Sequence, residues 1–238
     1  MQNAKIAWAV MENHGYKEVF GLKSHTYLRS HPNCIWYSNY FATHHPSGPN
    51  YRVMAAGDKV VDTETYEKPF PCLASELGKE NKESTVINLK GIIALRHNPY
   101  EDMQVPRINN LLLDKTSVFN SAIIDNANNI YDHVYFGWDD LNNAHSGTLD
   151  VADKNLSDLI QAIELSQWFA QGNIFLFTWD ESFDTSDLTQ HVACFAFSKQ
   201  FTNKEDTRQL NHFNFCKTMY NNYGLDNSYL KGITETLY

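Results

Sequence analysis

Carboxylate side chains follow three short apolar segments of this 238-residue sequence. These carboxylates are Glu12, Asp139, Asp140, Asp180 and Glu181. Carboxylates that converge repel one another and lose solvation unless a cation or a proton compensates them. If the three segments are neighbouring strands, a hard divalent metal is the simplest compensation, because such ions prefer oxygen ligands. Each acid taken alone is better explained as the start of a solvated loop, and only the three places together favour a metal.

A serine stands in the sequence where a helix is predicted to begin. Pro49 is typical of the first turn of a helix, and residues 50–56 are predicted to continue that helix until Gly57. Ser47 then lies on the turn just before the helix, where free N–H groups and the helix dipole favour an anion. Gly48 lets a bulky phosphoester approach the backbone. Taken alone, the segment fits more simply a Ser-Gly-Pro turn in which Ser47 only caps the helix.

Four apolar segments predict the strands that must position these side chains. Residues 6–11 and 174–179 are apolar runs of strand length, and residues 134–136 and 192–197 are shorter or less regular candidates. Continuous apolar strands are typical of a parallel sheet that is covered on both faces. In such sheets, ligands bind outside the carboxyl ends of the strands, which is where the acidic residues follow.

A long helix is predicted between two of these strands. Its apolar stripe consists of Leu156, Leu159, Ile160 and Ile163, extended by Trp168 and Phe169 and stopped at Gly172. Strand, helix and strand in this order form the βαβ unit of a parallel sheet. A second helix is predicted over residues 213–223, with Gly224 as its cap. The sequence therefore predicts an α/β fold with a mainly parallel central sheet and helices on both faces.

Composition and charge exclude several classes of protein. Hydrophobic residues make up 42% of the chain, which is enough for the core of one domain over residues 1–238. The net charge of −9 disfavours binding to nucleic acid. No apolar run approaches the roughly 20 residues of a membrane helix, so no stable membrane insertion is expected. The apolar run near the N-terminus is shorter than a signal-peptide core, which predicts a cytoplasmic protein, or a periplasmic or secreted one if a leader has been removed.

Five segments, in order along the chain, resemble the phosphoesterase family of acid phosphatases and bacterial phospholipases C, within the alkaline-phosphatase-like superfamily. The segments are residues 11–16 (M-E-N-H-G-Y), 39–51 (which contain P-S-x-P-N-Y), 96–99 (R-H-N-P), 178–181 (T-W-D-E) and 211–225 (an N-H-F start, a later Thr and a closing G-L). The matches reach from the first strand to Leu225. The resemblance implies an alkaline-phosphatase-like fold.

The resemblance also implies roles for individual residues. Ser47 would be the nucleophile and would form a phosphoserine intermediate. Asn50 would donate its side-chain amide to a nonbridging phosphoryl oxygen. The implied metal ligands are Glu12, Asn13, Asp180 and Glu181. The metal would also contact the Ser47 oxygen and lower its pKa. Its identity stays open, because oxygen ligands suit Ca, Mg or Mn while nearby histidines admit Zn or Fe.

Three of the ten histidines are candidates for catalysis. His145 is the first candidate for the general acid, and the family often has an Asn-Asp-x-His element there. Here Asn143 replaces the aspartate of that element, which puts a second metal site in doubt unless Asp139 or Asp140 substitutes. His97 is a candidate for the phosphate pocket, and His212 matches the closing motif. For each of them a structural role fits the sequence about as well. His14, His44 and His45 adjoin the motifs and are expected to support the site from outside.

The expected activity is metal-dependent hydrolysis of a small phosphorylated substrate through Ser47. The chain is short for the family, which favours a phosphomonoesterase like the acid phosphatases over a phospholipase C that acts on diesters. A degenerate homologue that binds metal or phosphate without turnover is a further alternative, which the replacement at Asn143 favours. The intact acidic pairs and Ser47 favour an enzyme.

Overall fold

The structure is a computed structural model that describes residues 4–57, 72–89, 97–102, 109–112, 120–183, 189–230 and 232–238. Its strands are β1 (Ile6–Met11), β2 (Cys34–Tyr37), β3 (Tyr40–Phe41), β4 (Ser84–Leu89), β5 (Asn109–Leu112), β6 (His133–Trp138), β7 (Ile174–Trp179), β8 (Cys194–Phe197), β9 (Lys204–Asp206) and β10 (Leu210–Asn211). Its helices are α1 (Tyr16–Val19), α2 (Lys23–Ser30), α3 (Ser47–Ala56), α4 (Leu73–Lys79), α5 (Pro99–Asp102), α6 (Ser121–Ile130), α7 (Leu149–Glu164), α8 (Gln167–Ala170) and α9 (His212–Tyr223). A short 3-10 helix follows over Ser228–Leu230.

A mainly parallel sheet forms the centre of the molecule, as predicted. Within the described ranges it has eight strands in the order β5-β4-β6-β1-β7-β8-β2-β9. The pairs of β1 with β6 and with β7 are parallel, and β8 is antiparallel to both of its neighbours. Met11 pairs with Trp179 at the ends of β1 and β7. The residues that follow these two strands therefore emerge side by side at one edge of the sheet.

Helices cover both faces of the sheet. Side chains alternate along a strand, so Trp8 points to one face, where its ring contacts Tyr100 and Phe215 of α5 and α9. Phe177 and Trp179 point to the other face, where both rings contact His25 of α2. All residues of β1, β6 and β7 are buried, because each of these strands lies between two helical layers.

The structure confirms most of the predicted elements and corrects several of their boundaries. The long helix ends at Glu164 instead of continuing to Gly172, because the Ser166 side chain accepts a hydrogen bond from Phe169 N and caps the separate helix α8. Helix α3 begins at Ser47, two residues before Pro49, which was predicted to start it. The fourth strand is limited to β8 and runs antiparallel. Arg96 of the R-H-N-P segment lies outside the described residues.

Within the described part of the chain, no helix combines the length and the apolar character needed to cross a membrane.

Candidate active site

Ser47 is the first residue of helix α3. Pro46, in an extended conformation, is the N-cap, and the helix then runs for ten residues to Ala56. The first N–H groups of a helix have no partner within it, and the helix dipole adds partial positive charge at this end. Ser47 is 5% exposed. The side chain is therefore held at a helix N-terminus that favours an anion, in the first turn of the helix and not on the turn before it.

The Ser47 hydroxyl lies between two glutamates. Its Oγ is 3.2 Å from Glu12 Oε2 and 2.9 Å from Glu181 Oε1. Glu12 follows β1 and Glu181 follows β7 by two residues, so the neighbouring strands bring them to opposite sides of the serine. A hydroxyl donates only one hydrogen, so both contacts cannot be satisfied when both glutamates are ionised. The arrangement needs a proton on one carboxyl group or a cation among them.

Asp180 completes a buried group of three carboxylates with Glu12 and Glu181. Its Oδ1 accepts hydrogen bonds from the backbone N–H of Asn13, at 2.8 Å, and of Glu181, at 2.7 Å. Its Oδ2 is buried and has no hydrogen-bond partner among the described residues. A buried carboxylate oxygen without a donor is costly, so it needs a proton or a cation.

Burial raises the pKa of all three carboxyl groups. Desolvation is the main cause for Glu12, whose pKa lies well above its ordinary value, and the charge of Asp180 raises it further. Desolvation also raises the pKa of Asp180. The pKa of Glu181 rises to about 7, by desolvation and then by the charge of Asp180. Because each group disfavours its own charged form, the group of three has a strong demand for positive charge.

Two residues that the sequence did not single out as part of the site hold the outer oxygens of the glutamates. The Tyr51 hydroxyl donates to Glu12 Oε1 at 2.6 Å, and His45 Nδ1 is 2.7 Å from Glu181 Oε2. Tyr51 lies four residues after Ser47, on the same face of α3. That spacing is the signal in the sequence that could have found Tyr51. For His45 the sequence predicts only support of the site from outside, and it does not show that the contacted acid is Glu181.

Asn13 and Asn50 make different contacts. Asn13 has a positive φ of 65°, which asparagine tolerates, its backbone N–H donates to Asp180 Oδ1, and its side chain is partly exposed. Asn50 is fully buried, and its Oδ1 accepts from Thr43 N, Thr43 Oγ1 and His44 N while its Nδ2 donates to His44 O. In the structure its amide fixes the loop that leads to Ser47, and its contact with a phosphoryl oxygen stays a prediction.

His212 contacts the backbone next to the acidic group. It is fully buried, its Nδ1 is 2.9 Å from the Tyr40 hydroxyl, and its Nε2 is 2.8 Å from the backbone carbonyl of Asp180. Burial lowers its pKa to about 4, so the ring is neutral near neutral pH. Both ring nitrogens thus hold parts of the fold and support the backbone of Asp180, and a catalytic role for His212 stays a prediction.

His145 and His97 lie on two segments that border the group of three carboxylates. The His145 loop is joined to the site through the backbone, where Glu12 N donates to Asn143 O at 3.0 Å. His145 is partly exposed, and its Nδ1 is 3.2 Å from Ser146 Oγ. The partly exposed His97 packs its ring against Tyr51, with 5.2 Å between the ring centroids. Their catalytic roles stay predictions.

Asp139 folds back into the loop that follows β6. Its Oδ1 accepts from Asn142 N at 3.2 Å and from Asn142 Nδ2 at 2.6 Å. Asp139 is 5% exposed, and its carboxylate caps this turn. The structure thus shows a structural role for one of the two acids that were expected to substitute in a second metal site.

The group of three carboxylates has the chemistry of a divalent metal site. The unpartnered Asp180 Oδ2, the two glutamate oxygens at Ser47 and the raised pKa values all fit an oxygen-liganded cation. Among the described residues, no three acidic, histidine or cysteine groups are arranged as a ready-made metal cluster.

Comparisons with known proteins give structural matches only. No known family profile and no curated protein sequence matches the chain. A protein of the alkaline phosphatase superfamily from Vibrio parahaemolyticus is similar in structure, with a TM-score of 0.68 and 12% identity over 95% of this chain and 67% of that chain. The lipoteichoic acid synthase LtaP from Listeria monocytogenes has a TM-score of 0.68 and 11% identity, over 95% of this chain and 73% of that one.

A third similar structure is the C-terminal periplasmic domain of EptC from Escherichia coli, determined in complex with Zn. It has a TM-score of 0.59 and 10% identity over 95% of this chain and 84% of that chain. The three matches agree with a mainly parallel central sheet that is flanked by helices. The chain has the alkaline-phosphatase-like fold that its sequence motifs predict.

Proposed function

We propose that this protein is a metal-dependent phosphoester hydrolase in which Ser47 is the nucleophile. The observation that carries the proposal is the position of the Ser47 hydroxyl, within 3.2 Å of Glu12 and 2.9 Å of Glu181 at the N-terminus of α3. A serine that only caps a helix needs no carboxylates around it. Three buried carboxylates around one hydroxyl are costly for the fold, so a function that uses them is the better explanation.

The chain's own residues supply three parts of the reaction. The Ser47 hydroxyl passes its proton to a glutamate that it contacts, and its oxygen attacks phosphorus, which forms a phosphoserine and breaks the bond to the leaving alkoxide. The N-terminus of α3 stabilises negative charge on the phosphoryl group. His145 is the proposed donor of the proton to the leaving group, because it is partly exposed on a loop joined to Glu12. Water then releases phosphate from Ser47.

The proposed ligands of the divalent metal are Glu12, Asp180 and Glu181, with Asn13 beside them. When bound, such an ion neutralises charge and lowers the pKa of the serine hydroxyl. The similar structures support the proposal. They are a protein of the alkaline phosphatase superfamily, the lipoteichoic acid synthase LtaP and the EptC domain in complex with Zn. The finer proposal is a phosphomonoesterase of the acid-phosphatase type.

Replacing the nucleophile tests the proposal directly. We expect Ser47→Ala to reduce the release of phosphate from p-nitrophenyl phosphate by roughly 1,000-fold or more, because no other group at the site can form the covalent intermediate. The assay is run with Mg²⁺, Mn²⁺, Ca²⁺ and Zn²⁺ in separate samples. In parallel, the wild-type reaction is quenched in acid, and peptides are searched by mass spectrometry for phosphate on Ser47.

Ser157→Ala is the matched control, because Ser157 lies on α7, on the opposite face of the sheet from α3. It should retain wild-type turnover, and both variants should melt as the wild type does. Full activity of Ser47→Ala would reject the proposal. If the wild type binds phosphate and forms no phosphoserine with any ester, the degenerate binding homologue is the correct alternative.

A substrate panel separates the finer alternatives. Bis(p-nitrophenyl) phosphate reports diester cleavage, phosphorylcholine lipids report a phospholipase C, and p-nitrophenyl sulfate reports a sulfate ester hydrolase. A phosphomonoesterase should release product from p-nitrophenyl phosphate with the highest kcat/KM of the four. A higher value for the diester or the lipid would replace the monoester proposal and keep the role of Ser47.

A further inference from the structure

Each of the two glutamates at Ser47 directs one carboxylate oxygen to the serine and the other to a second side chain. Glu12 directs Oε2 to the serine and Oε1 to the Tyr51 hydroxyl. Glu181 directs Oε1 to the serine and Oε2 to His45 Nδ1. Both outer partners belong to residues 45–51, the same short segment that carries the nucleophile. One segment therefore positions the serine and both of its acidic neighbours.

We infer that Tyr51 and His45 are positioning residues which leave each glutamate only one oxygen for a metal ion. This inference rests on the proposed function, because it concerns the metal that Glu12 and Glu181 are proposed to hold. Tyr51 is 1% exposed and donates at 2.6 Å, so its hydroxyl has no solvent to turn to when Glu12 binds an ion. When Glu181 is ionised and binds an ion it only accepts, so His45 Nδ1 then carries the hydrogen of their contact.

A restriction to one oxygen per glutamate selects among divalent ions. Calcium takes six to eight oxygen ligands and often uses both oxygens of a carboxylate, whereas Mn²⁺ and Mg²⁺ favour six-coordinate octahedral sites. A glutamate whose second oxygen is already held by a donor is a poor bidentate ligand. The contacts of Tyr51 with Glu12 and of His45 with Glu181 therefore favour a smaller six-coordinate ion over Ca²⁺. The acidic residues alone would not distinguish between these ions.

The test measures ion selectivity on the full chain and needs no substrate. The metal-stripped protein is titrated with Mn²⁺, with the free ion followed by electron paramagnetic resonance, and Ca²⁺ is added as a competitor. The quantity of interest is the ratio of the Kd for Ca²⁺ to the Kd for Mn²⁺. We expect Tyr51→Phe to lower this ratio by roughly tenfold or more, because it frees Oε1 of Glu12. His45→Ala should lower it similarly through Glu181.

His45→Asn is the conservative variant, because its side-chain amide keeps a donor near the place of Nδ1. It should restore most of the wild-type ratio.

The matched controls are Tyr37→Phe and His31→Ala. Tyr37 is an equally buried tyrosine that donates to Leu237 O at 2.8 Å, and His31 contacts Glu164 at 3.1 Å. Both lie outside the residues 45–51 and should leave the ratio within about twofold of the wild type. A melting curve for each variant verifies its fold, and His45, with 47% of its side chain exposed, keeps the test open if Tyr51→Phe fails to fold.

Three results would overturn the inference. An unchanged ratio in folded His45→Ala and Tyr51→Phe, in a protein whose Ser47→Ala variant has lost turnover, would reject this inference and leave the proposed function standing. An equal loss of affinity for both ions would reject the selectivity and reduce the two residues to general supports. If the wild type binds no Mn²⁺, or binds Mn²⁺ as well after Asp180→Asn as before, the metal assignment and this inference both fail.

Discussion

Asp180 is the side chain that joins the two central strands at the site. Its Oδ1 accepts from the backbone of Asn13, after β1, and from the backbone of Glu181, after β7. Its Oδ2 is left buried and without a donor. One oxygen thus holds the strand ends together, and the other is the acceptor most in need of a cation. The two functions can be separated by a variant that keeps the shape and removes the charge.

Asp180→Asn is predicted to lower the affinity for a divalent metal by roughly tenfold or more, because a neutral amide is a weak ligand. The Oδ1 contacts can be kept by the amide oxygen, so the fold should be retained. Metal content after equilibrium dialysis, measured by elemental analysis, provides the test. Asp153→Asn is the control, since Asp153 is a buried acid that caps α2 through Lys23 N and Ser24 N. Equal metal content in wild type and Asp180→Asn would contradict the assigned role.

The sequence could predict which acids meet, but not which neighbours hold them. Glu12 and Asp180 follow apolar strands, and adjacent parallel strands bring such residues together whatever the details of packing. The contacts of Tyr51 and His45 depend on how α3 docks against the sheet, which no local pattern records. The motif position of Asn50 is visible in the sequence, whereas its contacts with Thr43 and His44 depend on packing and are not.

At the scale of elements, α3 is fixed at both ends. Ser47 begins it at the acidic site, and Gly57 ends it with a left-handed φ of 64°. Gly57 also sits tightly against its surroundings, because a Cβ built there would lie 2.7 Å from Leu230 Cδ2 and 3.0 Å from Cys216 Sγ. Gly224 ends α9 with a similar φ of 69°, but a Cβ there would meet no atom within 4 Å. Replacing both glycines therefore separates two effects: both positions share the cost of a left-handed φ, and only Gly57 adds a steric contact.

Gly57→Ala is predicted to destabilise the protein more than Gly224→Ala. The left-handed conformation costs about 1 kcal/mol for alanine at either position. At Gly57 the added methyl group also overpacks the contacts with Leu230 and Cys216, which costs about 1–3 kcal/mol more. Urea unfolding of both variants and the wild type gives the free energies to compare. Equal losses at the two positions would show that the contact with Leu230 and Cys216 relaxes without cost.

The elements themselves were largely visible in the sequence. Continuous apolar runs predicted β1 and β7 to the residue, because a strand buried on both faces admits few polar side chains. The predicted end of the long helix lies beyond the real one. The apolar stripe continues through Trp168 and Phe169, whereas Ser166 ends the helical backbone by capping a separate helix, α8. Periodicity follows the side chains that are buried, and it does not record where the backbone changes direction.

At the scale of the whole molecule, two neutral histidines tie helices and strands together inside the core. His25 Nε2 accepts from the Trp179 indole at 3.0 Å, and His133 Nε2 accepts from the Trp8 indole at 3.0 Å. They belong to opposite faces of the sheet, through Trp179 and Trp8 respectively. Burial lowers the pKa of each histidine to about 3. Both must remain uncharged for the two layers to pack.

This arrangement predicts a loss of stability in acid that can be assigned to His25. Because its folded pKa of about 3 lies below the unfolded value of about 6.5, the unfolded chain binds the proton first, and stability falls as the pH drops below 6.5. Between pH 7 and pH 4.5 the loss is about 2–3 kcal/mol for this one group. His25→Gln keeps an acceptor for Trp179 and cannot titrate, so its free energy of unfolding should fall less over the same range by that amount. Urea melts at the two pH values measure the difference, with Tyr37→Phe as a control that should parallel the wild type. Identical pH dependence in His25→Gln and wild type would show that His25 titrates alike in both states.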